Sequence, residues 1–396
     1  MQRYIGLDVH RDYCYAHVLE VGQVEGRRLR FPNTAEGWAE FVTPLGPDDA
    51  VALEVSSGAF RFYDSLVDRV GQVLVVDARV MRRLGSRKRK TDRDDARLLA
   101  ERLALGTLPG VWVPPAAIRE LRALIQLRRQ LVEQRTRWKN QIRAVLLRHG
   151  YRTPRGLWRA RSHLEQLWRL SLPEAERVWL AVALEQLRST TEHLRAVERE
   201  IAYRVRHLRP VRQLMSIVGF HVIAAATYYA YVGDPWRFPS GKHVVSYAGL
   251  APRVRQSGTV DRRGGISKEG PAVLRWALVE AAAMAARHGP PALRAFYLRL
   301  RATKGHQVAV VAVAAKLARI AWTLWRTGET FVGIRPERYA EKLAQLDAAA
   351  APYPTDRVMA WLAQRVERLV DRPGSRTHNG VTAARAGPDL GLKKGS

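Results

Sequence analysis

Cysteine is almost missing. Cys14 is the single one in 396 residues, which excludes intramolecular disulfides and a cysteine zinc cluster and fits a reducing, cytoplasmic setting. Acids are scarce: 37 Asp and Glu stand against 66 Lys and Arg, giving a formal charge of +29 and a pI near 11.1. That excess is beyond what solubility requires and points to a polyanionic partner, nucleic acid first. Long hydrophobic runs are few. The longest, Met215 to Gly233, contains Gly219, His221 and three tyrosines and reads as a buried helix rather than a membrane span. The stretch MQRYIGLDVH carries neither a basic amphipathic helix nor a lipidation signal, and no signal peptide is expected. Apolar residues are plentiful at 47%, enough for two or three domains with real cores.

The acids that do occur are concentrated. Lys90-Thr91-Asp92-Arg93-Asp94-Asp95-Ala96 places three carboxylates in four residues, inside a very basic neighbourhood. Thr91 and Asp94 read as a capping box at a helix start. Ala96, Leu99, Ala100 and Leu103 form one apolar face. Asp92 and Asp95 each lie one turn ahead of that face, toward whatever the helix packs on. A divalent metal would satisfy them there, and a plain preference of acids for helix N-termini is the competing account. The helix is predicted to end at Gly106.

Residues 1 to about 115 read as α/β. Tyr4–His10, Tyr13–Leu19 and Arg27–Phe31 are predicted strands, followed by a short helix after Thr34 and strands at Ala50–Val55 and Gln72–Val76. Phe60, Tyr63, Val67 and Val70 are expected to form the helix face between those last two. Two acids interrupt strands, Asp8 and Glu54, where Asp and Glu are disfavoured. In an RNase H-like sheet the two strands and the following helix converge at one edge. Asp8, Glu54, Asp92 and Asp95 gathered there would repel unless cations lay between them, and two Mg²⁺ ions are the chemical use of such a cluster in phosphodiester cleavage. Arg87, Lys88, Arg89 and Lys90 suit backbone phosphates nearby. His10 and His17 read as hairpin residues, and Asp77 as a turn residue.

Residues about 116 to 205 carry two helical seams. Leu121, Leu124, Leu131, Trp138, Ile142 and Val145 share one, with Arg128 and Arg135 at its other positions. Leu180, Leu184, Leu187, Leu194 and Ile201 share the second, interrupted by Thr191 and Glu198. An antiparallel helical pair is expected, with intramolecular packing and dimerisation both open. Its first helix is basic, and Arg135 and Lys139 are candidate nucleic-acid contacts. Residues about 206 to 333 lead through Gly233-Asp234-Pro235-Trp236-Arg237-Phe238 to a Gly- and Arg-rich segment, Pro252 to Gly270, read as a loop. Ser257 stands there among Arg253, Arg255, Arg262, Arg263 and Lys268, a set able to clamp phosphate. A serine hydroxyl needs a base or metal to attack, and no His base is evident. Ser267 reads as a turn residue. Helices are expected over Pro271–His288 and Gln307–Thr327. From residue 334 a short helical extension leads to a Gly-, Ser-, Arg- and Lys-rich tail expected to be disordered.

These residues resemble a known family. Asp8 in GLDVH, Glu54 in ALEVS and the Lys90–Ala96 string resemble the DEDD transposases of insertion-sequence family 110, relatives of a pilin-gene DNA invertase. The GD-x-x-RF motif, Gly249-Leu250-Ala251-Pro252 with Ser257-Gly258 following, Ile266-Ser267-Lys268 and Leu274-Arg275 resemble the same family's C-terminal domain. Pro271 departs from it, where a small polar residue is usual. The resemblance implies an α/β RNase H-like, Holliday-junction-resolvase-like N-terminal domain over 1–115. A helical coiled-coil insert over 116–205 would follow, then a mainly α transposase domain over 206–333. It further implies Asp8, Glu54, Asp92 and Asp95 as ligands for Mg²⁺ and Ser257 as the nucleophile toward DNA. A structured guide RNA and a homo-oligomer, dimer or tetramer, complete the picture, with the acids of one subunit meeting the serine of another. A junction endonuclease using the acids with water, and a non-catalytic nucleic-acid-binding protein, are the alternatives.

Overall fold

The computed structural model describes residues 3–23, 25–56, 58–77, 92–153, 156–158, 166–167, 169–257 and 260–350, with backbone alone at 92–93, 254–257 and 260–263. Arg87 to Lys90, Thr91 and the tail lie outside the described residues. The chain forms two compact units that divide between Pro114 and Pro115.

The first unit is built on a five-stranded sheet. Its strands are β1 (Arg3–Val9), β2 (Tyr13–Glu20), β3 (Arg27–Pro32), β4 (Asp49–Glu54) and β5 (Gln72–Val76), in the order β3-β2-β1-β4-β5. β1 is antiparallel to β2 and β2 to β3, whereas β1–β4 and β4–β5 are parallel. Side chains alternate between the two faces. Ile5, Leu7, Cys14, Ala16, Val18, Val51, Leu53 and Val75 pack under α1 (Ala35–Val42) and α2 (Ala59–Leu66). Tyr4, Ala50, Ala52, Leu74 and Val76 pack under α3 (Asp92–Ala104) through Leu99 and Leu103. With helices on both faces, β4 is buried almost throughout, and its apolar run has no polar alternation.

Local signals explain the joints. Thr34 caps α1 by accepting from the Gly37 amide, and Gly106 leaves α3 in the left-handed region at φ 64°. Arg3 makes a two-pronged bond to buried Asp49, with both contacts at 2.6 Å, which fastens the start of β1 to that of β4. The α2 face differs from expectation. Ala59, Phe62, Leu66 and Val70 are buried and Val67 is exposed, because the 59-62-66-70 spacing is the one turned to the sheet and Val67 lies off it.

The second unit begins with α4 (Ala116–Arg148) and α5 (Glu174–Val205). They run antiparallel. Leu121 and Ile125 share one core with Ile201, Ala202 and Val205, while Ile142 and Leu146 share another with Leu180, Ala183 and Leu187. Two of the charges that interrupt the seams, Arg128 and Glu198, pair with each other at 2.8 Å. The rest is α6 (Arg209–Leu214), α7 (Val222–Val232), a 3-10 turn (Pro235–Arg237), α8 (Gly241–Tyr247), strands β6 (Pro252–Ser257) and β7 (Val260–Ile266), α9 (Ala272–His288), α10 (Pro291–Thr327) and α11 (Pro336–Ala349). α7 lies in the core, as the Met215–Gly233 run predicts. α10 is long and apolar enough to cross a membrane by composition, yet Val313, Ala314, Leu317, Ala318 and Ala321 are buried in that same core. Lys342 is buried too. Its ammonium donates to the carbonyls of Met215, Ile217 and Phe220 at 2.8–3.0 Å, and burial pushes its pKa down to about 8.

One sequence expectation needs correction here. Pro252 to Gly270 is not a loop throughout, because β6 and β7 pair as an antiparallel ribbon. The helix expected from Gln307 is present as the second half of α10: Gly305, at φ 80° and ψ 170°, is not helical and divides it from a preceding helix that starts at Pro291.

Gly6 shows how tightly α3 is seated. A Cβ there would overlap the Ala96 carbonyl oxygen, which is backbone and cannot rotate away. Gly6→Val is therefore expected to cost about 2–3 kcal/mol in urea unfolding. Gly46→Ala, with nothing within 4 Å of its added carbon, is expected to stay within about 0.5 kcal/mol of wild type.

Candidate active site

The parallel pairing of β1 with β4 sets Leu7 beside Leu53, so the next residues along, Asp8 and Glu54, come level at the C-terminal ends of adjacent strands. Both share the face of Gly6 and Ala52, the face on which α3 lies. Asp8 is 16% exposed, and its Oδ2 is 3.1 Å from Nε2 of His10. His10 does close the β1–β2 hairpin, its amide donating to Tyr13 O, as its position suggests. Its contact with the acid was readable in the two-residue spacing, which returns to the same side of a strand.

α3 begins at Asp92, whose side chain lies outside the described residues. Asp95 is half-buried and Asp94 exposed. Ala96, one turn beyond Asp92, meets Gly6, two residues before Asp8. Among the described residues no group of three or more His, Cys, Asp or Glu side chains converges. The two that the sheet aligns are carboxylates, the oxygen donors that hard divalent cations take, so the donor chemistry fits such an ion. Beneath them, on the other face, burial pushes the Cys14 thiol up to about 12, with the Asp8 charge adding and Arg61 opposing.

Ser257 is the last residue of β6 and pairs with Val260 across the end of the ribbon. Arg255 stands opposite Arg262, and Val254 opposite Arg263, so the backbone gathers these arginines on the two strands that carry the serine. The base of the ribbon is locked: the amides of Ser267 and Lys268 donate to Ala251 O and Gly249 O, and Arg253 donates to Ser267 O at 3.0 Å. Lys268 is exposed with φ 57°. Ser267 accepts from the Glu269 amide, a turn role as expected. Pro271 serves as N-cap of α9, so the departure seen in sequence leaves the helix start in place.

On α4, Lys139 and Arg143 lie 5.6 and 5.7 Å from the ring centre of Trp158. Burial, with Arg135 and Arg143 adding to it, depresses the Lys139 ammonium. The motif Gly233 to Phe238 is architectural. Asp234 caps the 3-10 turn through the Trp236 amide, and Arg237 donates to Val232 O at 2.7 Å.

Residues 5–150 match the IS110-type DEDD transposase family, and residues 211–298 match the family described as Transposase IS116/IS110/IS902. The transposase for insertion sequence element IS1111A of Coxiella burnetii is 30% identical over 249 residues, 61% of this chain and 68% of that protein. The chain belongs to the IS110 family of transposases. The transposase for IS1328 of Yersinia enterocolitica is 27% identical over 83% of this chain and 98% of its own length. The pilin gene-inverting protein of Moraxella lacunata is 28% identical over 61% and 68%. A mixed α/β unit followed by a mostly helical remainder fits the DEDD transposases, enzymes of DNA transposition and recombination that generally use divalent metal ions.

Cys14 reports on the acid end of the sheet. In the native protein it should resist iodoacetamide at about pH 9, well below its raised pKa, and react promptly once unfolded. Asp8→Asn removes one of the charges that raises it, so the native thiol is expected to begin reacting at lower pH. An unchanged profile would separate Cys14 from Asp8.

Proposed function

We propose that this IS110-family transposase cuts and exchanges DNA strands with two chemical parts, an acidic centre of Asp8, Glu54, Asp92 and Asp95 and a nucleophilic Ser257. The observation that carries the reading is the β1–β4 register, which brings Asp8 and Glu54 level on the face covered by the helix that opens at Asp92. The strand order, with β2 and β3 antiparallel and β1, β4 and β5 parallel, supports an RNase H-like, Holliday-junction-resolvase-like domain over 1–115. The antiparallel α4–α5 pair supports a coiled-coil segment over 116–205, and the ribbon and its helices a transposase domain over 206–333, with 334–396 as extension and tail.

The four carboxylates would hold divalent cations, Mg²⁺ foremost. When bound, such ions would polarise the phosphodiester and stabilise the charge on the attacking and leaving oxygens. The chain's own residues do the rest. Ser257 Oγ attacks the phosphorus, giving up its proton, and forms a phosphoserine ester, while the P–O bond to one deoxyribose breaks and that oxygen takes up a proton in turn through solvent, so the exchange is proton-neutral. Arg255, Arg262 and Arg263, carried on the same ribbon, neutralise the phosphate that Ser257 approaches. Arg253 and Lys268 extend that positive ground; Arg87, Lys88, Arg89 and Lys90, just before Asp92 in sequence, and Arg135 and Lys139 on α4 take nucleic-acid backbone. A net charge of +29 supports two nucleic-acid partners, the DNA and a structured guide RNA, in a homo-oligomer working in the cytoplasm.

The test is strand cleavage and exchange on element-end DNA, with the covalent adduct mapped by mass spectrometry. Asp8→Asn and Ser257→Ala are each expected to lower exchange by at least about a thousandfold. Ser257→Ala should also remove the adduct. Cleavage that survives Ser257→Ala would make water the nucleophile and the protein a junction endonuclease.

A further inference from the structure

The row that holds the acids continues across the sheet. Beyond Asp8 the register runs to Tyr15 on β2 and then to Arg30 on β3. One row along, Gly6 is followed by His17 and then by Arg28. Both rows lie on the face of α3 and end in exposed arginines on the edge strand. Between them and Ala96 of α3 is a groove of about 330 Å³, lined by Tyr15, His17, Arg28 and Arg30 and, among the described residues, by no carboxylate.

Its buried histidine is unsatisfied. His17 is 4% exposed, and among the described residues neither ring nitrogen has a hydrogen-bond partner. Buried polar groups are nearly always paired, so a partner that the protein does not supply is called for. Burial, with Arg97 and Arg28 adding, keeps this imidazole below its ordinary pKa, so it offers one neutral N–H. Glu101, the acid that opposes this effect, is already paired with Arg97 at 2.6 Å. Arg30 is steadied by aromatic rings, 4.4 Å from the Tyr13 centroid and 5.7 Å from that of Tyr15. Among the described residues neither Arg28 nor Arg30 forms an ion pair.

We propose that this groove is a phosphate subsite for the DNA strand that reaches Asp8 and Glu54. Arg28 and Arg30 take a backbone phosphate flanking the scissile one, and His17 donates to it from the floor. β3 lies two strand spacings from β1, roughly 10 Å, a reach that a neighbouring phosphate spans along a bound strand. What the groove positions rests on the reading of the acids given above; that it binds phosphate does not.

The experiment is a titration of the full chain with fluorescein-labelled DNA in EDTA, so that no divalent ion takes part. The double variant Arg28→Ala/Arg30→Ala is expected to bind about tenfold more weakly and to lose about one unit of the slope of log K against log salt. Arg27→Ala removes one charge, as Arg28→Ala alone does, but on the opposite face, where Arg27 pairs with Val18, and is expected to change affinity less than twofold. A loss in Arg27→Ala equal to that in Arg28→Ala would reduce the effect to net charge and overturn the subsite. So would a loss seen with an RNA oligonucleotide and not with DNA. A scan of single methylphosphonate linkages should find one position that weakens wild type and leaves the double variant unmoved; the absence of any such position would also overturn it. His17→Gln, which keeps a donor, should bind more tightly than His17→Ala, with circular dichroism checking the fold of both. Because binding is read without metal, failure of the acid assignment would leave this result standing. Failure of the groove would leave Asp8-dependent cleavage intact.

Discussion

Two parallel strands, β1 and β4, fix the chemistry of the first unit. Their hydrogen-bond register makes Asp8 and Glu54 neighbours at a strand spacing of about 4.8 Å. Carboxylates held side by side repel each other. The fold tolerates this because the strands beneath are buried on both faces and clamped at their start by Arg3 and Asp49. The His10 ring, 3.1 Å from Asp8, gives that carboxylate a hydrogen-bond partner. The absence of a side chain at Gly6 brings the α3 backbone down onto the sheet, so the start of that helix is a consequence of the same strand.

The second unit solves a different problem, how to keep a strongly basic chain folded. Several glutamates are spent locally, on Arg129, Arg188 and Arg204, in exposed pairs that each contribute little to stability. Glu198 does more, since Arg128 is only 16% exposed and the pair closes a gap in the helical seam. The core itself is mostly Ala, Val and Leu from α7, α9 and α10, whose small residues let the helices approach closely. Lys342 is the exception. It is held by three carbonyls of the turn between α6 and α7, where it replaces the donors that irregular backbone lacks.

Much of this was legible wherever a local pattern had a local cause. Alternation at Ile5 and Leu7, the Thr34 cap, the Gly106 exit and the isolated acids in β1 and β4 are all read from neighbours in sequence. The β6–β7 ribbon was not, because Arg253, Arg255, Arg262 and Arg263 with two glycines give no apolar alternation; its pairing comes from the locked base at Gly249 and Ser267. The α2 face was misread because Phe60, Tyr63 and Val67 offer an apolar helical spacing of their own beside Ala59, Phe62 and Leu66, which the sheet buries. Lys342 and His17 were invisible for another reason. A lysine in an amphipathic helix and a histidine in a hairpin look like surface residues, and only the carbonyls more than a hundred residues away, or the edge strand folded beside them, reveal otherwise.

The sheet therefore carries a gradient of charge along a single cross-strand row. Glu54 and Asp8 are acidic, Tyr15 is neutral and Arg30 is basic, in the spatial order of β4, β1, β2 and β3. A polyanion laid along that row is repelled at one end and attracted at the other, which favours contact at the arginine end. Cations at the acidic end would remove the repulsion and let the strand advance toward the carboxylates. Binding and cutting would then be ordered by the same row of residues: the arginine edge engages phosphate whether or not metal is present, and the acid end admits it only once its charge is neutralised. An edge strand lined with arginine also resists pairing with another sheet, so the residues that would hold DNA keep the edge from aggregating.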